Sequence, residues 1–182
     1  MFLLNQQDEK AGLRYVAYCL MTNHVHLLVI PYKEDSLRWG IGEANRLYTR
    51  YINFREQTRG YLFQGRFFSS PMDNAYFTAA ARYVERNPVR TKICKSAADN
   101  SWSSARYHLG KIKWDPIIKS RYEGIANPSE WKRFLKTEPN GIDMMKVSFR
   151  TGRPIGSEAF MEKAKAVTSR NLSHKKGGRQ RK

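Results

Sequence analysis

The chain has 182 residues, of which 33 are Lys or Arg and 16 are Asp or Glu, so its formal net charge is +17. Such an excess of positive charge indicates a polyanionic partner, and we expect nucleic acid rather than a membrane surface. No apolar run in the sequence reaches the roughly 20 residues of a membrane span, and Cys19 and Cys94 are too few for a disulfide framework. Composition therefore favours a cytoplasmic nucleic-acid-binding protein over a membrane protein or a disulfide-stabilised secreted domain.

Two consecutive segments predict a β-hairpin. Residues 13–20 are rich in β-branched, aromatic and apolar side chains, and residues 24–30 read His-Val-His-Leu-Leu-Val-Ile, with a Thr-Asn pair just before them. Because side chains alternate between the two faces of a strand, His24 and His26 would stand on the same face. Such a pair can bind a metal ion, although each ring could instead bond to a backbone carbonyl. Both segments are apolar on both faces, so we expect both strands in the interior of a covered sheet.

A helical period follows the hairpin. Apolar residues recur at steps of four, three, four and three, and this pattern predicts an amphipathic helix from about Ser36 to Phe54. The predicted buried face consists of Leu37, Ile41, Ala44, Tyr48 and Tyr51. The opposite face carries Arg46, Arg50 and Arg55, which could be solvated or could follow a phosphate backbone.

An aromatic and basic segment, residues 58–71, comes next. Rings interleaved with Arg59 and Arg66 are typical of surfaces that bind single-stranded nucleic acid. Most aromatic side chains are buried, however, so we favour a core position for the three phenylalanines of this segment. They are Phe63, Phe67 and Phe68.

A second helix is predicted from Asp73 or Asn74 to Asn87, because Pro88 disfavours helical geometry in the residue before it. Tyr83 and Asn87 are four residues apart and therefore share one helix face. This spacing is common in helix cores, but a phenol can act as a nucleophile and an amide oxygen can bind a metal. A helix packed across the histidine face would bring the four side chains together.

Prolines and glycines break the remainder of the chain into short pieces. Helices are predicted over residues 129–136 and, with Ser157 as N-cap, up to about Val167. The basic segment that follows has few apolar side chains, so we expect it to be disordered without a partner. The expected organisation is a core of residues 1–110, a mostly irregular and helical extension of residues 111–167, and a basic tail of residues 168–182.

Five stretches together resemble the HUH single-strand DNA transposases that have one catalytic tyrosine, within the IS200-like family. The resemblance is closer to the branch associated with repetitive extragenic palindromes, the REP-associated branch. In chain order the stretches are Ala-Tyr-Cys-Leu-Met-Thr-Asn-His-Val-His-Leu-Leu-Val-Ile-Pro31, Gly-Tyr-Leu-Phe-Gln-Gly-Arg-Phe67, Arg-Tyr-Val-Glu-Arg-Asn-Pro-Val-Arg90, Ser-Trp-Ser-Ser-Ala-Arg106 and Thr-Gly-Arg-Pro-Ile-Gly-Ser-Glu-Ala-Phe160. The resemblance therefore covers most of the chain.

This resemblance implies an α+β fold in which helices pack against a ferredoxin-like antiparallel sheet. It also implies Tyr83 as nucleophile and His24, His26 and Asn87 as ligands of a divalent cation, Mg or Mn. The implied reaction is the cleavage and joining of single-stranded DNA through a 5′-phosphotyrosine. DNA contacts are expected from the basic residues Arg46, Arg50, Arg59, Arg66, Arg90, Arg150, Arg153, Lys175 and Lys176.

The implied partner is single-stranded or hairpin DNA in a bacterial cytoplasm, where the chain could act as a homodimer on the nucleoid. Relatives have a further strand and most of a helix before the segment that begins here at Leu13. Residues 1–4 resemble the end of that helix, so we expect a sheet that lacks one interior strand. Two other functions are left open. One is a decayed or repurposed nucleic-acid-binding protein, and the other is a phosphoesterase that uses metal-activated water instead of Tyr83.

Overall fold

In a computed structural model of the chain, residues 1–172 are described, except for the side chains of residues 7–9. The elements are α1 (Phe2–Ala11), β1 (Leu13–Leu20), β2 (Val25–Pro31), a π-helical turn (Arg38–Gly42), α2 (Glu43–Arg55), α3 (Asn74–Arg90), a 3₁₀ turn (Ala97–Asp99), α4 (Ala105–His108), α5 (Pro128–Phe134), α6 (Ile142–Thr151) and α7 (Glu158–Thr168). The predicted α+β class, with antiparallel strands and helices, is confirmed.

The described chain divides into two compact units. The first contains residues 1–67 and 78–140, and the second contains residues 68–77 and the described residues from 141 onward. The first unit holds the predicted hairpin and most of α3. The predicted division at residue 110 stays a prediction.

β1 and β2 form an antiparallel pair, as the sequence predicts. Cys19 pairs with His26, and a bulge between Tyr15 and Ala17 shifts the register by one residue. β1 is buried over most of its length, whereas β2 is half-exposed. Within residues 1–172 the sheet contains these two strands, and no strand pairs with the other edge of β2. The expectation of two interior strands is therefore wrong for both, since among the described residues the other edge of β1 has an isolated bridge from Cys19 to Ser103 and no strand. Apolar side chains do not reveal how many strands lie beside their own.

The core of the first unit joins α1, β1 and the π-helical turn. Its buried members are Ala11, Leu13, Tyr15, Tyr18, Ile41, Ile117 and Ile118. Gly40 lets the π-helical turn approach β1 closely, since a Cβ at this position would lie 2.0 Å from Leu13 Cδ1. Phe67 packs against this core, as expected. Phe68 is instead 80% exposed, so its predicted core position is wrong.

The first predicted helix begins with the π-helical turn and continues as α2. Ile41 and Ala44 are buried as expected, but Tyr48 is 44% exposed and Tyr51 is 55% exposed. The predicted burial of these two tyrosines is wrong. They share a face of α2 with Ala44, but Ala44 in the first turn is the residue of α2 that is buried, so the core does not extend along the helix to the turns that carry the tyrosines.

α3 continues beyond its predicted end at Asn87, with Pro88 in its last turn. Proline removes one N–H donor, but so near the end of a helix few further bonds depend on it. The last carbonyls have donors: Thr91 N–H donates to Asn87 O at 2.9 Å, and Ile93 N–H donates to Pro88 O at 2.8 Å. The predicted end is therefore wrong, and the extra residues place Arg90 on the helix.

Glu85 is a fully buried carboxylate that ties α3 to the rest of the first unit. Its Oε1 accepts hydrogen bonds from Ser104 Oγ and His108 Nδ1, both at 2.5 Å. Its Oε2 accepts a bond from Trp131 Nε1 at 2.7 Å. Ser104 Oγ also accepts a bond from Tyr18 N–H in β1 at 3.0 Å. These bonds connect α3 to β1, α4 and α5, and they fix the helix relative to the hairpin.

The second unit is built around the start of α3. Met72 forms a parallel bridge with Ile155, and Asp73 Oδ2 accepts a hydrogen bond from Ser157 N–H at 2.7 Å. Ser157 caps α7, as the sequence predicts, whereas α6 is not among the predicted elements. No helix in the described part of the chain is both long enough and apolar enough to cross a membrane.

Replacing Glu85 with Ala should leave three donors buried without their acceptor. We expect Glu85→Ala to lower the free energy of unfolding by about 3–5 kcal/mol. Denaturant unfolding, followed by circular dichroism, measures this change. Glu34 is exposed, so Glu34→Ala is the control and should change stability by no more than about 0.5 kcal/mol. Equal stabilities of the two variants would contradict the anchoring role of Glu85.

Candidate active site at the histidine pair

The turn between β1 and β2 brings the two histidines together. Met21 N–H donates to His24 O at 2.9 Å and closes the turn one residue before β2 begins. His24 is exposed and His26 is half-buried. Their Nε2 atoms are 3.0 Å apart, and their rings are nearly perpendicular, with centroids 4.7 Å apart. The two side chains therefore point to one position, as the alternation along a strand predicts.

Asn23 decides which nitrogen of His24 carries the proton. Its Oδ1 lies 2.7 Å from His24 Nδ1. A carbonyl oxygen can only accept, so Nδ1 of His24 is the donor and Nε2 has the lone pair. His26 Nε2 then donates to His24 Nε2 when no metal is present. His24 is thus held in the tautomer that a metal-binding Nε2 requires.

The separation of the two Nε2 atoms suits a shared metal ion. Two nitrogens at right angles, each about 2.1 Å from an octahedral ion, lie about 3 Å apart, and the separation here is 3.0 Å. Within residues 1–172, no cluster of three or more His, Cys, Asp or Glu side chains could hold a metal. The pair therefore fits part of a coordination shell, and the other ligands would be oxygens of an amide, a phosphate or water.

His26 is kept neutral at ordinary pH. Burial, the neighbouring His24 and the positive charge of Arg90 lower the pKa of His26 from 6.5 to about 4. Each of these causes disfavours the charged imidazolium. A neutral imidazole is the form that binds metal ions, so this environment suits His26 to that task near neutral pH.

Tyr83 lies directly against the histidine pair. Its ring stands edge-on to the ring of His26, with centroids 5.7 Å apart and an interplanar angle of 87°. The side chain is only 6% exposed, and its hydroxyl accepts a hydrogen bond from Arg90 Nη2 at 3.0 Å. The guanidinium carbon of Arg90 is also 4.9 Å from the centre of the Tyr83 ring.

Asn87 also bonds to Arg90. It is fully buried, and its Oδ1 accepts a hydrogen bond from Arg90 Nη2 at 2.5 Å. Its Nδ2 is buried and has no hydrogen-bond partner in the part of the chain that the structure describes. The structure therefore brings the four predicted side chains into one cluster of contacts, but the candidate ligand atom of Asn87 is occupied by Arg90.

The other predicted DNA contacts are spread over the chain. Arg46 forms an ion pair with Glu43 at 2.6 Å. The remaining predicted arginines of the first unit are exposed: Arg50, Arg59 and Arg66. In the second unit, Arg150 is exposed and Arg153 is half-buried. Lys175 and Lys176, with the rest of the predicted tail from residue 173, lie outside the described residues.

Strongly exposed aromatic side chains near the end of α2 form a patch that we name the α2 aromatic surface: Tyr51, Phe54 and Tyr61. Tyr61 is 99% exposed. Asn53 Nδ2 donates to Gly60 O at 2.9 Å and holds the loop that carries Tyr61 against α2. The guanidinium carbon of Arg55 is 5.7 Å from the centre of the Tyr51 ring. The surface thus combines exposed rings with positive charge.

Sequence reasoning misses two partnerships in the histidine cluster. Arg90 is predicted only as a DNA contact, although it lies seven residues after Tyr83 and three after Asn87. That spacing indicates one helix face, provided that the helix passes Pro88. Asn23 is not predicted at all, and its only signal is that it precedes His24.

Comparison with known protein families agrees with this geometry. A family model described as "Transposase IS200 like" matches residues 3–87, slightly less than half of the chain. Over residues 3–87 the chain is similar to the IS200-like transposase family. No curated protein and no solved structure matches the chain.

The IS200-like region contains the histidine pair, Tyr83 and Asn87, while Arg90 lies just beyond its end. This similarity supports DNA binding and DNA cleavage of the transposase type. Assignment to the REP-associated branch stays a prediction.

The low pKa of His26 should make the metal-free protein less stable in acid. Between about pH 6.5 and pH 4 the unfolded chain binds a proton at this residue that the folded chain does not. Stability is therefore retained above pH 6.5 and falls as the pH approaches 4. Urea unfolding in EDTA should show a smaller loss of stability over this range for His26→Gln than for the unaltered protein. If the stability of the two proteins depends on pH in the same way, the lowered pKa of His26 is contradicted.

Proposed function

We propose that the protein is a metal-dependent single-strand DNA endonuclease and strand transferase that acts through a covalent 5′-phosphotyrosine at Tyr83. The observation that carries this proposal is the position of Tyr83. Its ring touches His26, and its hydroxyl bonds to the guanidinium of Arg90. A phenol beside two metal-binding imidazoles and a cation is suited to attack on a phosphodiester.

The proposed step exchanges one phosphoester bond for another. Tyr83 Oη loses its proton and forms a bond to phosphorus, the bond from phosphorus to the 3′ oxygen breaks, and the 3′ oxygen takes up a proton, so no net proton is gained or lost. The products are a 5′-phosphotyrosine and a free 3′-hydroxyl. Because one phosphoester bond forms for each that breaks, a second 3′-hydroxyl can reverse the step and join the strands without ATP.

His24 and His26 are the proposed metal ligands, with Asn87 as a third once its Oδ1 is released by Arg90. An imidazole pair completed by oxygen atoms accommodates Mg or Mn. When bound, such an ion would neutralise charge on the phosphoryl oxygens and on the leaving 3′ oxygen. Asn23 supports this site by keeping Nε2 of His24 unprotonated.

The positive charge and the α2 aromatic surface support single-stranded DNA as substrate. The net charge of +17 supplies affinity for phosphates irrespective of sequence. Exposed rings next to arginines allow unpaired bases to stack while the guanidinium groups hold phosphates. We propose that Arg50 and Arg59 serve this surface, and that Arg66, Arg150, Arg153, Lys175 and Lys176 add further contacts. Hairpin or palindromic DNA is the proposed target, recognised by its shape and by a few unpaired bases.

Covalent capture of DNA tests the proposed reaction. Purified protein is incubated with Mn and with labelled single-stranded oligonucleotides that tile the genomic DNA flanking its gene. We expect a labelled protein–DNA adduct that survives denaturation. Tyr83→Phe should abolish this adduct because it removes the attacking oxygen. His26→Ala should reduce it by at least about 10²-fold, since the metal ligand is lost.

Tyr48→Phe is the matched control, because Tyr48 is an exposed tyrosine on α2, and it should form the adduct normally. Cleavage that survives Tyr83→Phe but is lost in His26→Ala would instead select a phosphoesterase that uses activated water. Metal-independent DNA binding by a folded protein, without any cleavage, would select the non-catalytic nucleic-acid-binding protein.

The α2 aromatic surface can be tested by binding alone. Tyr61→Ala should weaken binding of single-stranded DNA by about 1–3 kcal/mol if one base stacks on the ring. Binding to a duplex of the same sequence should change less than about twofold, since paired bases are not available to the ring. Fluorescence anisotropy at fixed salt measures both affinities. Trp114→Ala, which removes an exposed aromatic outside this surface, is the control. Equal losses for single strand and duplex would contradict stacking.

A further inference from the structure

The three arginines on one stretch of α3 have different environments. Arg82 Nη2 donates to the backbone oxygens of Phe134 at 2.9 Å and Thr137 at 3.0 Å. Arg86 donates to Leu135 O and to Glu138 Oε1. Both side chains therefore bind the segment after α5 and have a structural role. Arg90, one turn further along, makes no such bond.

Among the described residues, Arg90 donates to the two site side chains alone. Its Nη2 serves both Tyr83 Oη at 3.0 Å and Asn87 Oδ1 at 2.5 Å, while its Nε is buried without a hydrogen-bond partner. Among the described side chains, no carboxylate forms an ion pair with Arg90. A half-buried cation without an anionic partner is unfavourable in a folded protein. Its position is explained if an anion binds beside it.

The distances identify where that anion would lie. In-line attack requires phosphorus within about 3–3.5 Å of the attacking oxygen. Arg90 Nη2 is 3.0 Å from that same oxygen, Tyr83 Oη. A phosphate placed for attack would therefore have its non-bridging oxygens within hydrogen-bonding reach of the guanidinium. Arginine can bind two such oxygens at once.

We infer that Arg90 is a catalytic residue whose guanidinium binds the non-bridging oxygens of the phosphate that Tyr83 attacks, and of the phosphotyrosine that results. This inference rests on the proposed function. While Tyr83 Oη bonds to phosphorus and the 3′ oxygen leaves with a proton, the phosphoryl oxygens gain negative charge, which Arg90 neutralises. In binding the phosphate, Arg90 releases Asn87 Oδ1, so the amide becomes free to act as a metal ligand only when DNA is bound.

The rate of adduct formation at saturating DNA gives the first test, with the oligonucleotide that the unaltered protein cleaves. Arg90→Ala should slow this step by about 10²- to 10³-fold, whereas its affinity for DNA should fall less than about 10-fold. Arg90→Lys keeps the charge but not the paired donors, so its rate should lie between those of the unaltered protein and Arg90→Ala. Lys95→Ala removes an exposed charge nearby and should react within about twofold of the unaltered rate.

A substrate with an uncharged scissile linkage distinguishes two roles of Arg90: binding of the phosphate and orientation of Tyr83. The oligonucleotide carries a methylphosphonate at the scissile position, which removes the charge that Arg90 is inferred to bind. In the unreactive Tyr83→Phe background, this replacement should weaken binding about 10-fold. In Tyr83→Phe/Arg90→Ala it should weaken binding less than about twofold, because the two changes remove the same interaction.

The outcomes distinguish this inference from the function on which it rests. No adduct with the unaltered protein overturns both. If the adduct needs Tyr83 but forms at the same rate in Arg90→Ala and in Lys95→Ala, the proposed function stands. The inferred role of Arg90 is then overturned. An equal binding loss with and without Arg90 also overturns it, because Arg90 would then act only by orienting Tyr83. Thermal unfolding midpoints within a few degrees of each other establish that the variants compared are folded.

Discussion

The position of α3 depends on the buried carboxylate of Glu85, which accepts bonds from Ser104, His108 and Trp131. A carboxylate removed from water is costly unless both oxygens are bonded, and here both are. Glu85 lies two residues from both Tyr83 and Asn87, and at about 100° per residue this separation turns it toward the opposite side of the helix. Anchoring one side of α3 in the core therefore holds the other side against the histidine pair.

The hairpin side and the helix side of the cluster differ in charge. On the hairpin, burial lowers the pKa of His26 and favours its neutral form, while Asn23 Oδ1 bonds to His24 Nδ1. On the helix, one guanidinium bonds to both the phenol and the amide. Arg90 thus bonds to the two atoms that our proposal assigns to attack on phosphate and to metal binding. Under that proposal, a bound phosphate would draw the guanidinium away from Asn87 Oδ1.

Much of the site could be predicted from sequence because its determinants are local. Alternation along a strand places His24 beside His26, and a four-residue step on a helix places Asn87 beneath Tyr83. The end of α3 could not be predicted, because Pro88 favours an earlier end and only the structure shows which donors bond to the carbonyls of the last turn. The exposure of Tyr48 and Tyr51 also escaped prediction, because the helical period shows that they share a face with Ala44 but not how far along α2 the core extends.

By itself, the sequence determined the hairpin, the main helices, the chemical types at the site and the excess positive charge, since each follows from near neighbours or from composition. Tertiary structure alone decided that Glu85 would be buried, that β2 would be half-exposed and that Arg90 would bond to both Tyr83 and Asn87. Serine, histidine and tryptophan donors that lie 19 to 46 residues from Glu85 along the chain satisfy its oxygens. No periodicity within a helix or strand encodes contacts at such separations, because they form only when the segments pack together.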